Sequence, residues 1–287
     1  MTVAITGATG FLGFALIRRL SAMGEQVLAV GGPRVAPSSE LSGVRWLPYQ
    51  KDITATANLI ASARPSTVVH CASHYVLQHR VDDIDPIVEA NLRFGCLLLG
   101  VLADTPTHFV NLSSYFQSQG PGGTKPNSFY AATKQAFADL VKWFGESRTL
   151  STSDIMLFDT YGPSDHRNKL LPRLLRCAAA GKTMAIETPS AEVNLCYISD
   201  VVSGITKVMQ QRMTGDWAIQ APTNSKIVEI VRLVESVTGR VIVNEWGTTV
   251  SQNSIHLDKR EPVLGWSPTT SLLEGVQTCW QAQLRTR

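Results

Sequence analysis

A glycine triad within the first thirteen residues constrains this chain more than any other feature. A short apolar run at 2–6 leads directly into Thr6-Gly7-Ala8-Thr9-Gly10-Phe11-Leu12-Gly13, and a stretch of helical period follows. In such a motif one glycine permits the turn, one lets the backbone approach a pyrophosphate, and one lets the helix pack on the strand. We therefore predict a dinucleotide site at the start of the first helix, formed by Gly7, Thr9, Gly10, Phe11, Leu12 and Gly13.

Short runs rich in Val and Ile alternate with longer helical stretches over the N-terminal half. The predicted strands lie near 2–6, 26–30, 66–71, 107–112 and 153–158, and the predicted helices near 11–23, 54–63, 83–103 and 128–148. This alternation is typical of βαβ units around a parallel sheet. The expected fold class is α/β, a Rossmann-type doubly wound parallel sheet with a smaller C-terminal substrate-binding lobe.

The pattern changes after Tyr161-Gly162-Pro163. We predict helices near 168–180, 199–211, 225–237 and 270–283, with short strands within 183–196. These elements suggest a dinucleotide-binding domain at 1–160 and a substrate-binding lobe at 161–287, with a segment near 195–220 returning to the first domain. The Gly- and Pro-rich loop 117–127 is too long for a tight turn, so we expect it at the edge of the site.

Composition excludes several classes of function. The 26 basic and 23 acidic residues give a net charge of +3 without charge runs, which favours a small-molecule substrate over nucleic acid or a membrane surface. The five cysteines include no CxxC pair, and the histidines, among them His74 and His166, lack metal-ligand spacing, so we expect neither disulfides nor a metal site and place the histidines at the surface or the pocket rim. With no signal segment and no apolar stretch of about 20 residues, the expected location is the cytoplasm.

The end of the second predicted strand bears on the choice of cofactor. NAD sites usually carry an acidic residue there, which accepts hydrogen bonds from the ribose hydroxyls. This chain has Val30-Gly31-Gly32-Pro33-Arg34 instead, and an arginine can pair with a 2′-phosphate, so the sequence favours NADPH, with NAD possible. Arg34 could equally be a surface charge, and Arg18 is a second candidate. Asp52 and Ile53 could lie beside the adenine, although Asp52 could instead cap the following helix.

Tyr130-Ala131-Ala132-Thr133-Lys134 places a phenol and an ammonium four residues apart on one face of a predicted helix. A phenol has a pKa of about 10, too high for ready proton exchange at pH 7, and a neighbouring cation should lower it. The preceding strand ends in two hydroxyls. Ser114 is the predicted catalytic partner because it lies nearer the C-terminal edge of the sheet, where ligands bind, and Ser113 is the alternative.

The glycine triad, Ser114, the Tyr130/Lys134 pair and Tyr161-Gly162-Pro163 together resemble the extended short-chain dehydrogenase/reductase superfamily, the NAD-dependent epimerase/dehydratase type. The resemblance implies that Ser114 orients the substrate carbonyl, Tyr130 exchanges the proton, and Lys134 serves both Tyr130 and the nicotinamide ribose. It also implies cofactor contacts from Cys71, Ala72, Ser73, Asn91 and Phe158. A homodimer through helix 83–103 and the catalytic helix is implied as well, although the apolar content of 83–103 also suits a buried helix.

Departures from the family pattern narrow the expected reaction. The 4,6-dehydratases carry an Asp-Glu pair after the catalytic hydroxyl, where this chain has Tyr115-Phe116, and the 4-epimerases usually carry the acidic residue missing from strand two. The blocks around Ser114, Tyr130 and Phe158 look similar to nucleotide-sugar 4-ketoreductases of the CDP-abequose and CDP-paratose synthase type. The resemblance thus implies NADPH-dependent reduction of the C4 ketone of a nucleotide-linked 4-keto-deoxysugar.

Three alternatives stay open: a nucleotide-sugar 4-epimerase, a reductase of a non-sugar ketone, and an NADPH sensor, which has no need of an intact catalytic set. The expected substrate-binding residues are His74, Tyr115, Asp159, Lys169 and Arg260. Many family members bind the substrate diphosphate with an arginine that the matching stretch 192–198 lacks, which supports the non-sugar ketone. Arg260, or Arg167 and Lys169, could supply that charge, or could be surface residues.

Overall fold

The computed structural model describes residues 2–31, 41–76, 78–119, 125–250 and 255–285. Its strands are β1 (Thr2–Thr6), β2 (Gln26–Gly31), β3 (Val44–Pro48), β4 (Thr67–His70), β5 (His108–Ser114), β6 (Ser151–Leu157), β7 (Asp159–Tyr161), β8 (Met184–Ile186), β9 (Glu192–Val193), β10 (Leu195–Tyr197), β11 (Gly215–Ile219), β12 (Ser225–Lys226) and β13 (Val243–Trp246). Its α-helices are α1 (Phe11–Ala22), α2 (Ile53–Ser62), α3 (Ile84–Val88), α4 (Phe94–Leu102), α5 (Phe129–Ser147), α6 (Leu170–Ala180), α7 (Ile198–Gln211), α8 (Ile227–Thr238) and α9 (Leu272–Arg285).

Seven strands form one parallel sheet in the order β11-β6-β5-β4-β1-β2-β3. The strand order reverses beside β1, whose neighbours are β2 and β4. In doubly wound sheets the crevice at this reversal, at the carboxyl ends of the strands, is where ligands bind. The predicted fold class is confirmed.

Helices cover both faces of the sheet. On one face α1 and α7 pack together through Leu16 and Ile205, and on the other α2, α4 and α5 bury Ile60, Leu98 and Phe137. A separate core holds α6, α8 and α9 together. The segment 198–219 supplies both α7 and the edge strand β11, so it joins the sheet; the division of the chain at residue 160 stays our proposal.

Some elements differ from the sequence prediction. The prediction omits β3, which lies at the sheet edge and has a weak apolar pattern with Arg45 exposed, and β11, which begins with Gly215-Asp216. The predicted helix 83–103 is divided into a 3₁₀ turn at Val81–Asp83, α3, a π-helical turn at Glu89–Arg93, and α4. A π turn admits an extra residue into a helix and leaves the sequence period almost unchanged, so the pattern gives little sign of it.

Two histidines are placed differently from the expectation of surface positions. His70 and His108 are fully buried in the sheet, where the His70 Nδ1 lies 2.9 Å from Thr6 Oγ1 and the His108 Nε2 lies 2.6 Å from Ser153 Oγ. Among the described residues, no group of His, Cys, Asp or Glu is placed to hold a metal ion. No helix in those ranges is long and apolar enough to cross a membrane.

Candidate active site

The glycine loop joins β1 to α1 at the strand reversal. Gly7 has a φ of +65°, and a Cβ there would lie 2.8 Å from the backbone nitrogen of Ala72 and 2.8 Å from the carbonyl carbon of Cys71. A Cβ on Gly13 would overlap the Gly7 carbonyl oxygen, and Gly10 begins α1 with no side-chain cap. The loop therefore has the turn, the close helix packing and the open helix start that a pyrophosphate requires, with Thr9 exposed and Phe11 and Leu12 half-buried beside it.

Tyr49 also supports the glycine loop, and the sequence prediction missed it. The Gly7 backbone N–H donates to Tyr49 Oη at 3.2 Å, and the Tyr49 ring packs edge-on against Phe94 with centroids 5.4 Å apart. Burial raises the pKa of Tyr49 to about 12, so its hydroxyl stays protonated. Its position one residue beyond an edge strand at the ligand-binding end of the sheet is the signal that could have found it.

The adenosine end of the predicted cofactor site is partly described. Gly31 ends β2, and a Cβ there would lie 2.9 Å from Thr9 Cγ2, so the strand end and the glycine loop are in close contact. Arg34 lies outside the described residues. Asp52 caps α2 through a hydrogen bond from the Thr54 N–H to Asp52 Oδ1 of 2.9 Å, which is the alternative role considered for it. Ile53 packs partly buried against the core beneath α2.

Lys134 is the more deeply buried member of the predicted catalytic pair on α5. The helix begins after Ser128, whose hydroxyl accepts a hydrogen bond from the Ala131 N–H at 3.2 Å. Tyr130 is half-buried in the first turn, while Lys134 is only 2% exposed. Burial lowers the pKa of Lys134 to about 8, with the charge of Asp154 opposing the shift, so the ammonium form still predominates at pH 7.

The pKa of Tyr130 corrects one expectation. Burial raises this pKa above its ordinary value, because removing the phenolate from water costs more free energy than its attraction to the neighbouring cations recovers. The groups that lower the Tyr130 pKa are the Ser73 hydroxyl, Lys169 and then Arg167. Lys134, the cation expected to lower it, is not among the groups that shift this pKa.

Ser114 lies at the end of β5 and is linked to α5. Its hydroxyl accepts from the Phe116 N–H at 3.3 Å, and its own N–H donates to Gln117 Oε1 at 2.7 Å. Gln117 in turn donates to Gln135 of α5 at 3.0 Å. Ser113 is buried and its hydroxyl accepts from Arg260 at 3.2 Å. The half-buried Ser114 hydroxyl therefore stays our predicted catalytic group.

Asn91 lies in the π turn, where its amide forms four hydrogen bonds within the protein, and its contact with the cofactor stays a prediction. Its side-chain nitrogen donates to Thr133 Oγ1 at 3.0 Å and to the His74 carbonyl at 3.2 Å, while its oxygen accepts from the His74 N–H at 2.7 Å and from Ser73 Oγ at 3.3 Å. These bonds occupy the amide and fasten the segment after β4 to the catalytic helix. Asn91 thus acts as a positioning residue, and His74 enters this network through its backbone.

Three predicted substrate residues meet beside Tyr130. Tyr115 donates from Oη to Asp159 Oδ2 at 2.6 Å, and Lys169 Nζ lies 2.9 Å from Asp159 Oδ1. Phe158 stacks on Tyr115 with ring centroids 5.0 Å apart. Tyr75, which the prediction missed, lies with Asp159 and Lys169 along the same pocket, which reaches the N-terminus of α6.

Arg260 lies in a largely buried ion pair, so its expected role in binding a substrate phosphate stays a prediction. Its guanidinium lies 2.6 Å from Asp154 Oδ2 and also donates to the Asp154 carbonyl at 3.0 Å, and both side chains are largely buried. Arg167 forms a two-point ion pair with Asp165, with N···O distances of 2.8 Å. Lys169 is paired with Asp159. Each of the three candidate cations is thus paired with an aspartate.

Arg167 also contacts the cofactor loop. Its guanidinium carbon lies 4.3 Å from the centroid of the Phe11 ring, and Nη2 donates to the Thr160 carbonyl at 2.7 Å. Phe11 is the first residue of α1. Arg167 therefore links the loop after β7 to the predicted pyrophosphate site.

A protein family model and two curated relatives match most of this chain. The model of the NAD dependent epimerase/dehydratase family matches residues 3–219. The chain is 20% identical to a CDP-abequose synthase of Salmonella typhimurium over 96% of each chain, and 25% identical to a dTDP-4-dehydro-6-deoxy-D-allose reductase of Streptomyces bikiniensis over 83% and 82%.

Solved structures share the fold over the full length. The UDP-glucuronic acid 4-epimerase of Bacillus cereus, in complex with UDP-glucuronic acid and NAD, superposes with a TM-score of 0.84 at 19% identity and covers 100% of both chains. The UDP-glucose 4-epimerase of Thermus thermophilus in complex with NAD gives a TM-score of 0.81 at 19% identity over 99% of each chain. At these identities the likeness shows the fold alone.

Proposed function

Because this chain belongs to the NAD-dependent epimerase/dehydratase family and is therefore an NAD(P)-dependent enzyme, we propose that it reduces the C4 ketone of a nucleotide-linked 4-keto-deoxysugar with NADPH. The observation that carries the proposal is the surroundings of the Tyr130 phenol. Where a dehydratase needs an Asp-Glu pair, Tyr115 stacks on Phe158 and Phe116 lies over Lys169. Asp159, the carboxylate that Tyr115 contacts, is paired with Lys169.

The residues suit a reduction in which one proton is delivered. When bound, the nicotinamide cofactor would supply the hydride for the ketone carbon. Tyr130 then gives its proton to the carbonyl oxygen, and the Ser114 hydroxyl donates a hydrogen bond to that oxygen as negative charge develops on it. Lys134 remains mostly charged at pH 7, so it can hold the nicotinamide ribose, the other role that the family resemblance implies for it.

The nucleotide-sugar substrate is supported by the curated relatives. A CDP-abequose synthase and a dTDP-4-dehydro-6-deoxy-D-allose reductase match 96% and 83% of this chain. The preference for NADPH is supported by Val30-Gly31, which ends β2 without a carboxylate, and by Arg34 shortly after it. A 4-epimerase is the second candidate, because two NAD-bound structures that share this fold are 4-epimerases.

The test is a spectrophotometric assay with CDP-, dTDP-, UDP- and GDP-linked 4-keto-6-deoxysugars and either NADPH or NADH. A reductase consumes NADPH stoichiometrically with one nucleotide class, and an Arg34→Ala variant should raise the KM for NADPH but not for NADH. An epimerase would interconvert the corresponding 4-hydroxy sugars with no net consumption of NADPH or NADH.

We expect Tyr130→Phe to bind NADPH normally and to lose at least about 100-fold in kcat, because general acid catalysis contributes about that much. Near-normal turnover would remove Tyr130 from the mechanism.

We also propose a homodimer through α4 and α5. On α5, Leu140 is 37% exposed and Trp143 is 52% exposed, three residues apart on the outer face. A Trp143→Glu variant should sediment as a monomer, whereas Trp217→Phe, a change in the core on the opposite face of the sheet, should leave the wild-type dimer intact. A monomeric wild-type protein at micromolar concentration would rule out this assembly.

A further inference from the structure

Lys169 is held between two aromatic rings at the N-terminus of α6. Its Nζ lies 4.8 Å from the centroid of the Tyr75 ring and 5.0 Å from that of Phe116, and the two rings stack at 6.1 Å. A cation over the negative face of a ring is attracted to it, and more strongly where water is partly excluded. Asp159 contacts the ammonium at 2.9 Å, and the side chain is only 23% exposed. The ammonium is therefore fixed from three directions.

The Tyr75 ring contacts both this ammonium and the ring of Tyr130. Its centroid lies 4.9 Å from the centroid of Tyr130, at an interplanar angle of 85°, while Lys169 lies over the same ring. Lys134, in contrast, lies one turn further along α5 and is almost completely buried. Tyr130 thus has one lysine on its own helix and another beside the substrate pocket.

We propose that Lys169 is a second cation of the catalytic site, which stabilises the Tyr130 phenolate from the substrate side, and that Tyr75 and Phe116 are positioning residues for its ammonium. This inference deepens the proposed reduction and rests on Tyr130 as its proton donor. When Tyr130 gives its proton to the alkoxide oxygen, an O–H bond of the phenol breaks and one of the product alcohol forms. The negative charge moves from the alkoxide to the phenolate, where a nearby ammonium lowers its energy.

Two cations act on Tyr130 from the substrate side, and Lys169 lowers the Tyr130 pKa more than Arg167 does. Arg167 also lowers the pKa of Tyr130, but less than Lys169 does, and its guanidinium is paired at two points with Asp165. Asp159 contacts Tyr115 as well as Lys169, so its charge is shared. The neutral neighbours are Ser73, which lowers the Tyr130 pKa, and Tyr75, which raises it.

The experiment is a pH titration of tyrosine ¹³Cζ signals by NMR in the NADP⁺ complex. The chain has six tyrosines, and a Tyr130→Phe sample assigns the relevant signal. Loss of the Lys169 charge in Lys169→Met should raise the titration midpoint of Tyr130 by about one pH unit, at the low end of the effect of a neighbouring charge. Lys169→Arg retains the charge and should stay within a few tenths of a unit of wild type. If the Tyr130 signal follows the same curve in wild type and in Lys169→Met between pH 7 and 11, the proposal is overturned. This includes the case in which the signal titrates in neither protein.

A second pair of variants tests the aromatic residues and does not depend on Lys169→Met folding. Tyr75→Leu removes a ring from the ammonium and should raise the Tyr130 midpoint in the same direction, whereas Tyr75→Phe keeps the ring and should not. If Lys169 were only a substrate anchor, Lys169→Met would raise the substrate KM and leave the Tyr130 titration unchanged. The titration needs no sugar substrate, so it gives the same answer if the proposed reductase activity proves wrong.

Discussion

His70 lies under the catalytic helix, in contact with the rings of Phe94, Phe109 and Phe137. Burial is the main cause that lowers its pKa to about 3, and burial likewise lowers the pKa of His108 to about 4. Both rings are therefore neutral in the folded protein at pH 7. The same cost of desolvation raises the pKa of Tyr130 and lowers that of Lys134, so burial outweighs pairwise charge at these residues.

This burial predicts a pH dependence of stability. An unfolded histidine has a pKa of about 6.5, so below that pH the unfolded chain binds protons that folded His70 and His108 do not. The free energy of unfolding should fall by about 1.4 kcal/mol per pH unit for each ring as pH decreases from about 6 to 4.5. Urea denaturation across this range measures it. His70→Gln should be less stable at pH 7 but show a shallower slope, and His166→Gln, at an exposed ring, should retain the wild-type slope. An unchanged slope in His70→Gln would contradict this account.

At the scale of elements, α1 packs on the glycine loop so closely that no side chain fits at Gly13. A Cβ there overlaps the Gly7 carbonyl, whereas a Cβ on Gly100 in α4 meets nothing within 4 Å. We expect Gly13→Ala to cost about 1–3 kcal/mol and to abolish NADPH binding, because α1 must move away from the pyrophosphate site. Gly100→Ala should stabilise the protein by about 0.4–1 kcal/mol and bind NADPH normally. Thermal unfolding and NADPH fluorescence measure both effects, and tight NADPH binding by Gly13→Ala would contradict the prediction.

In the whole molecule, the Arg260–Asp154 pair fastens the C-terminal lobe to the sheet. Beside it, the Ala218 N–H of β11 donates to the Glu261 carbonyl at 2.8 Å, so residues 260–263 extend the sheet edge. Arg260→Met leaves a buried carboxylate unpaired and should cost about 3–5 kcal/mol. The Arg260→Met/Asp154→Asn double variant should recover part of this loss.

A double-mutant cycle from guanidinium denaturation tests this coupling. The exposed helical pair Lys142–Glu146 is the control, since Lys142→Met should change the free energy of unfolding by less than about 0.5 kcal/mol. Strictly additive effects of the Arg260 and Asp154 changes would show that the pair does not hold the lobe in place.

Local patterns explain what the sequence predicted well. The glycine triad, the four-residue spacing of Tyr130 and Lys134, and the apolar periods of α1, α5 and α7 are properties of neighbouring residues. They predicted the parallel sheet and the bounds of α1, α5 and α7 to within a few residues, whereas the pyrophosphate loop and the catalytic pair stay predictions. The π turn at Glu89–Arg93 and the short edge strand β3 were missed because neither produces a strong local period.

The sequence by itself determined which chemical groups the chain brings to its site, because backbone conformation and helical spacing depend on residues close in the chain. Only the tertiary structure decided which charges neutralise each other. Arg260 meets Asp154 across 106 positions, and Lys169 meets the ring of Tyr75 from another element. Such pairings depend on how the lobe packs against the edge of the sheet, and the sum of many weak contacts sets that packing. For this reason Arg260, one of the cations expected to bind substrate, lies in a buried ion pair, and Lys169 lies over the ring of Tyr75.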